Sequence, residues 1–130
     1  MAARARTVQA RGGYREDLGL YVRSRWEANY ARYLEWLRQR GEIRDWEYEP
    51  CEFVFPVKRG TRFYRPDFRV IEKGGQVTYH EVKGYMDQKS RTALKRMARY
   101  YPKVRIVIVG RSEYREIEKW ARLIPGWESD

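Results

Sequence analysis

Residues 64–84 read YRPDFRVIEKGGQVTYHEVKG. Two strand-like runs, residues 62–71 and 76–84, flank Glu72, Lys73, Gly74 and Gly75, and the paired glycines permit the positive φ of a tight turn. The stretch therefore predicts an antiparallel hairpin. Side chains two apart on a strand share a face, so Glu81 and Lys83 project together, about 6 to 7 Å apart along the backbone. Asp67 lies on the adjacent strand and reaches the same face if the register or a local bulge permits. His80, of opposite parity, belongs to the other face as a packed or hydrogen-bonded histidine.

Paired carboxylate oxygens suit Mg²⁺ or Mn²⁺, hard cations that keep water and phosphate oxygens among their ligands. The chain has one His and one Cys, too few nitrogen and sulfur ligands for an ordinary zinc site. The chemistry expected of Asp67, Glu81 and Lys83 is phosphodiester hydrolysis. The carboxylates would carry the ion, and the ammonium would stabilise developing charge or orient the attacking water.

Upstream of the hairpin, Ser24 to Glu27 (SRWE) forms a capping box that predicts a helix from about residue 25 to 40. Trp26, Tyr30, Tyr33, Leu34 and Leu37 supply its apolar stripe, and Gly41 its left-handed terminus. Residues 46–57 (WEYEPCEFVFPV) read as a first strand, interrupted or at an edge because of Pro50 and Pro56. Downstream, Asp87 caps a helix that runs to Tyr101, with Leu94, Met97, Ala98 and Tyr101 on its apolar face and a strongly basic opposite face. Residues 104–109 (VRIVIV) read as a buried strand with both faces covered and a parallel partner. Ser112 caps a last helix whose buried stripe is Tyr114, Ile117, Ala121 and Ile124.

The expected order is α, β, β, β, α, β, α, a mixed sheet flanked by helices with a crossover between its third and fourth strands. Residues 1–17 read as a basic, flexible N-terminal arm and residues 18–130 as one domain. Hydrophobic residues make up 42% of the 130 and aromatics 15%, enough for a core without disulfides. The single cysteine, the lack of a secretion signal and the lack of an apolar run of about 20 residues predict an intracellular chain that does not enter a membrane. Lys and Arg number 28 against 18 Asp and Glu, a net charge of +10, which favours a polyanionic partner such as DNA. Arg62, Arg65 and Arg69 are phosphate candidates along the hairpin.

Together these residues resemble the PD-(D/E)XK nuclease superfamily, with Pro66-Asp67 as the first half of the motif and Glu81-Val82-Lys83 as the second. Asp87-Gln88-Lys89 also fits the second half but opens a helix, whereas Glu81-Val82-Lys83 lies in a strand paired with the only Pro-Asp of the chain. The resemblance covers about residues 24–109. It implies a restriction-endonuclease-like αβββαβ core with a C-terminal helix, a metal site of Asp67, Glu81 and the Val82 backbone carbonyl, and Glu27 as a further acidic group from the first helix. It also implies phosphate contacts from Gln88 and Lys89. Among its members the chain looks most like small archaeal-type and phage Holliday junction resolvases. That implies Mg²⁺-dependent nicking of four-way DNA junctions by a homodimer, for which Trp120 and Trp127 are candidate interface residues. Sequence-specific, mismatch or transposition-associated endonucleases, and a non-catalytic nucleic-acid-binding module, are the alternative readings.

Overall fold

The computed structural model describes residues 11–129. Helix α1, Arg25–Gln39, begins where the capping box places it. The Ser24 hydroxyl accepts from the Glu27 amide at 3.1 Å, but the Glu27 carboxylate takes the Arg23 amide at 3.3 Å rather than that of Ser24. Its far end is a Schellman turn: Gly41 has φ +75°, with bonds from Glu42 N to Leu37 O and from Gly41 N to Arg38 O. Tyr30 and Leu34 are buried, while Trp26, Tyr33 and Leu37 pack partly exposed against the same core.

The central sheet has four strands, in the order β3 (Ile43–Tyr48), β6 (Phe68–Glu72), β7 (Val77–Val82) and β8 (Ile106–Val109). Strands β6 and β7 form the expected antiparallel hairpin, closed by Gly75 at φ +93°. On its outer side β6 pairs antiparallel with β3. On the other side β8 runs parallel to β7, reached through α2, Gln88–Tyr100. Asp87 caps α2 as expected, accepting from the Ser90 amide at 2.8 Å.

Four expectations are corrected. The first strand expected over residues 46–57 is at an edge and interrupted, as its prolines imply, with β3 ending before Glu49 at φ +45° and Pro50, but its second piece is a separate strand, β4 (Phe53–Val54), outside the central sheet. The run 62–71 likewise splits into β5 (Phe63–Tyr64) and β6 on either side of Pro66. A proline has no amide to give a ladder, so each segment turns at its proline, and β4 pairs with β5 in a separate two-stranded sheet. Strand β8 is not covered on both sides: it is an edge strand, and Val107 is 40% exposed. The last helix, α3 (Arg111–Glu118), is capped at Gly110 rather than Ser112, because the Glu113 carboxylate reaches back to the Gly110 amide at 2.8 Å. The helix also stops short of the expected end near Pro125: of the expected stripe, Tyr114 (buried) and Ile117 (half-buried) lie in α3, whereas Ala121 and Ile124 lie beyond it, in and after a 3-10 turn at Ala121–Leu123.

The N-terminal arm expected over residues 1–17 lies outside the described residues as far as residue 10. Its remainder is ordered structure: β1 (Arg11–Arg15) pairs antiparallel with β2 (Leu20–Ser24). Arg15 meets Glu128 at 2.5 Å, and Arg32 bridges Asp17 and Glu128 at 2.8 and 2.7 Å, so charge pairs clamp the hairpin to α1 and the C-terminal segment. Trp127 packs on Tyr114 with ring centroids 5.6 Å apart, whereas Trp120 is exposed.

Two apolar layers result. On one face of the sheet, α1 packs over Phe68, Val70, Val82 and Val109. Strand alternation sends Tyr79 and Glu81 to the other face, where Phe55, Tyr64, Ala93 and Met97 join the β4–β5 hairpin to α2. No helix among the described residues is long and apolar enough to cross a membrane.

Candidate active site

Asp67 stands one residue before β6, where Pro66 has ended ladder pairing. Its main-chain carbonyl accepts from Glu49 N at 2.7 Å, and its Oδ2 accepts from Val82 N at 2.8 Å. Strand β7 overruns β6 by two residues here, since Phe68 lies opposite His80, and the Asp67 carboxylate takes the Val82 amide that a longer β6 would have used. The N–H and C=O of one strand residue point to the same edge, so the Val82 carbonyl faces the Asp67 side, away from β8.

Glu81 Oε1 accepts from the Tyr64 hydroxyl at 2.9 Å, and Glu81 Oε2 lies 3.9 Å from Lys83 Nζ. Asp67, Glu81, Val82 and Lys83 thus line one cleft of about 220 Å³, walled by Tyr64 of β5 and Lys89 of α2. Both carboxylates are about 8% exposed. Burial first, then the charges of Glu81 and Glu27, push the Asp67 carboxyl up to about 8, against the Val82 amide and Lys83. Burial raises Glu81 also, with Glu27 adding to it and Tyr64 and Lys83 opposing. Two buried like charges that resist ionising together are a place where a cation relieves repulsion.

Glu27 stands beside this pair rather than within it. Its Oε1 accepts from the Tyr48 hydroxyl at 2.5 Å as well as from the Arg23 amide, and it does not line the cleft. Among the described residues no three His, Cys, Asp or Glu side chains converge as a metal-binding group. A bound cation would therefore take Asp67, Glu81 and the Val82 carbonyl and leave its other positions to water or substrate. Such a partial protein cage fits Mg²⁺ better than a closed structural site.

His80 is a core residue, as its parity implies. Its ring nitrogens meet the Tyr30 hydroxyl and Thr78 Oγ1, the latter at 2.9 Å, and burial lowers its pKa to about 4. Of the phosphate candidates, Lys89 and Arg65 line the cleft, although Arg65 is held by Glu52 at 2.7 Å. Arg69 turns away from it, pairing with Glu47 at 2.9 Å and lying over the Tyr79 ring. Gln88 is exposed at the start of α2 and donates to Thr92, and Arg62 is exposed beside β5. The sequence reading missed Tyr64, Tyr48 and Arg23. Arg23 also lines the cleft, 2.7 Å from Glu49. No local spacing announces these residues, because their contacts depend on how β2, β3 and β5 are packed.

The raised Asp67 carboxyl predicts a pH dependence of stability. The folded chain binds a proton there that the unfolded chain releases above about 4, so stability falls as pH rises from about 4 through 8. Neutral, buried His80 acts oppositely below its unfolded value of 6.5 and is silent above it. Melting in EDTA should therefore show the metal-free protein losing stability between pH 6.5 and 8, and Asp67→Asn should flatten that decline. A decline of equal slope in the variant would show that another group causes it.

No protein-family model matches the chain, and no curated protein or solved structure matches it either.

Proposed function

We propose that this chain is a metal-dependent endodeoxyribonuclease of the PD-(D/E)XK kind. The observation that carries the reading is the convergence of Asp67, Glu81 and Lys83 in one half-buried cleft at the open end of β7. The order α1, β3, β6, β7, α2, β8 supports it, because it reproduces the αβββαβ succession with the β4–β5 hairpin inserted after the first strand.

Asp67, Glu81 and the Val82 carbonyl would hold Mg²⁺, or Mn²⁺ as a substitute. When bound, the ion supplies the Lewis acidity that polarises a scissile phosphate and lowers the pKa of water. The chain's own groups do the positioning. The Val82 amide fixes the Asp67 carboxylate, and the Tyr64 hydroxyl fixes that of Glu81. The Lys83 ammonium faces the cleft beside Glu81, placed to neutralise charge accumulating on the phosphate or to orient the incoming water. Lys89 and Arg65 at the rim supply cations for flanking phosphates.

The substrate that the resemblance to junction resolvases implies, and that a net charge of +10 suits, is a branched DNA, a four-way junction nicked on opposing strands by a homodimer inside the cell. Incubation of a labelled four-way junction beside a linear duplex of the same sequence tests this. Cleavage of the junction is expected in Mg²⁺ or Mn²⁺ and none in EDTA. Cleavage of the linear duplex at one sequence would move the assignment to a sequence-reading nuclease. Intact DNA under every metal condition would overturn the nuclease reading.

A further inference from the structure

The positive charge of this chain is unevenly placed. Residues 53–66 hold four Lys and Arg, residues 88–112 hold eight, and neither stretch contains an Asp or Glu. These 12 cations exceed the whole net charge of +10, so the rest of the chain, with 16 cations against 18 acids, is net −2. The fold brings the two stretches together. The first is the β4–β5 hairpin with its loop, and the second runs through α2 and β8 into α3.

Their contact is built, not incidental. Arg96 of α2 donates to the carbonyls of Arg59 and Thr61 in the hairpin loop, and the Tyr101 hydroxyl donates to the Val54 carbonyl at 2.6 Å. Phe55, Tyr64, Ala93 and Met97 form the apolar joint beneath. Gly60, at φ +74°, makes the loop tip and lies against the Arg96 guanidinium. Lys58, Arg59 and Arg62 are exposed around that tip.

Pairing separates this layer from the rest of the molecule. Elsewhere most of the described cations are matched internally, as in Arg32 with Asp17, Arg38 with Glu35, and Lys119 with Glu116, with Arg44 and Lys73 among the exceptions. Of the 12 cations in these two stretches, nine of them in the hairpin and α2, Arg65 alone has a carboxylate within ion-pair distance among the described residues. A surface on which cations crowd without counter-charges costs self-repulsion that an external polyanion removes.

We infer that the layer formed by the β4–β5 hairpin and α2 is the docking face for a nucleic-acid phosphodiester backbone, with the Lys58–Arg62 loop as its clamp. The face starts at the candidate active site, since Thr61, Arg65 and Lys89 line that cleft. The 13 residues of α2 extend about 20 Å from it, the length of about six base pairs of duplex. Lys89, Lys95 and Arg99 are exposed along this path. The inference rests on the proposed function for the direction of the path, but binding is measured without cleavage.

The test compares two triple variants of the full chain with the unaltered protein. One is Lys58→Ala/Arg59→Ala/Arg62→Ala in the loop. The other is Arg40→Ala/Arg44→Ala/Lys73→Ala at the β3 edge, which removes the same charge. Binding of a fluorescent linear duplex is measured in EDTA over a salt series, with thermal melts confirming the fold. The loop variant should bind at least about tenfold more weakly, and its log affinity against log salt slope should be shallower by about 2 to 3. The edge variant should stay within about threefold of the unaltered protein. Equal weakening in both variants would overturn the inference, since only net charge would then matter, as would a loop variant that binds undiminished. An unaltered protein that shows the loop effect yet never cuts DNA in Mg²⁺ would retain the docking face and refute the nuclease reading. Cleavage with an unaffected loop variant would do the reverse.

Discussion

Asp67→Asn or Glu81→Gln is expected to lower Mg²⁺-dependent cleavage by at least about 10³-fold while leaving DNA binding in EDTA within a few fold. Both substitutions keep the shape of the site. The amide oxygen introduced in place of the Asp67 carboxylate can still accept from Val82 N, and the one introduced in place of the Glu81 carboxylate can accept from the Tyr64 hydroxyl. Those are the two bonds that orient the native carboxylates, at 2.8 and 2.9 Å. What is lost is the negative charge that the proposed divalent cation would need from Asp67 and Glu81. Folding gives an independent readout. Burial holds both carboxyls above their usual range, with the charge of Glu27 adding at both and that of Glu81 adding at Asp67, so neutralising either should preserve or raise the melting temperature in EDTA near pH 8. Loss of cutting with undiminished stability would then be chemical rather than structural. Retention of full activity by both variants would end the assignment of this cleft as the catalytic centre.

Phe68→Ala should destabilise the fold by about 3 to 5 kcal/mol, the largest stability loss expected of a single truncation here. The ring is fully buried, with centroids of Tyr30 and Tyr48 at 5.3 Å and of Trp46 at 6.0 Å. Those partners come from α1 and β3, so truncation opens a cavity where helix and sheet meet. Phe68 also follows Asp67 directly, and Tyr48 carries the hydroxyl that holds Glu27, so the geometry of the candidate site should loosen with the core. Denaturant unfolding measures the loss, with Val107→Ala on the exposed side of β8 as a comparison expected to cost under about 0.5 kcal/mol. A loss below about 1 kcal/mol for Phe68→Ala would contradict its central placement.

What could be read along the chain was whatever closes over a few residues. Ser24 and Asp87 cap helices through bonds that span three positions, Gly41 and Gly75 take the backbone twists that glycine allows, and the two-residue period of a strand separates Glu81 and Lys83 from His80. These are local steric and hydrogen-bonding facts, and they were enough to place Asp67, Glu81 and Lys83 on a hairpin. Local reading failed where two local solutions competed, as at Gly110 and Ser112, or where a proline made one run serve two sheets. Tertiary packing alone decided the rest. The Tyr64 bond to Glu81 exists because the β4–β5 hairpin folds onto α2, and Arg15 finds Glu128 across 113 positions. Glu27 lies beside the carboxylate pair because α1 docks on the sheet face that holds Phe68 and Val82. The hydrophobic layers that impose these meetings are non-directional and act between residues far apart in the chain. The sequence by itself therefore determined which residues could make the site, and packing determined which of them meet.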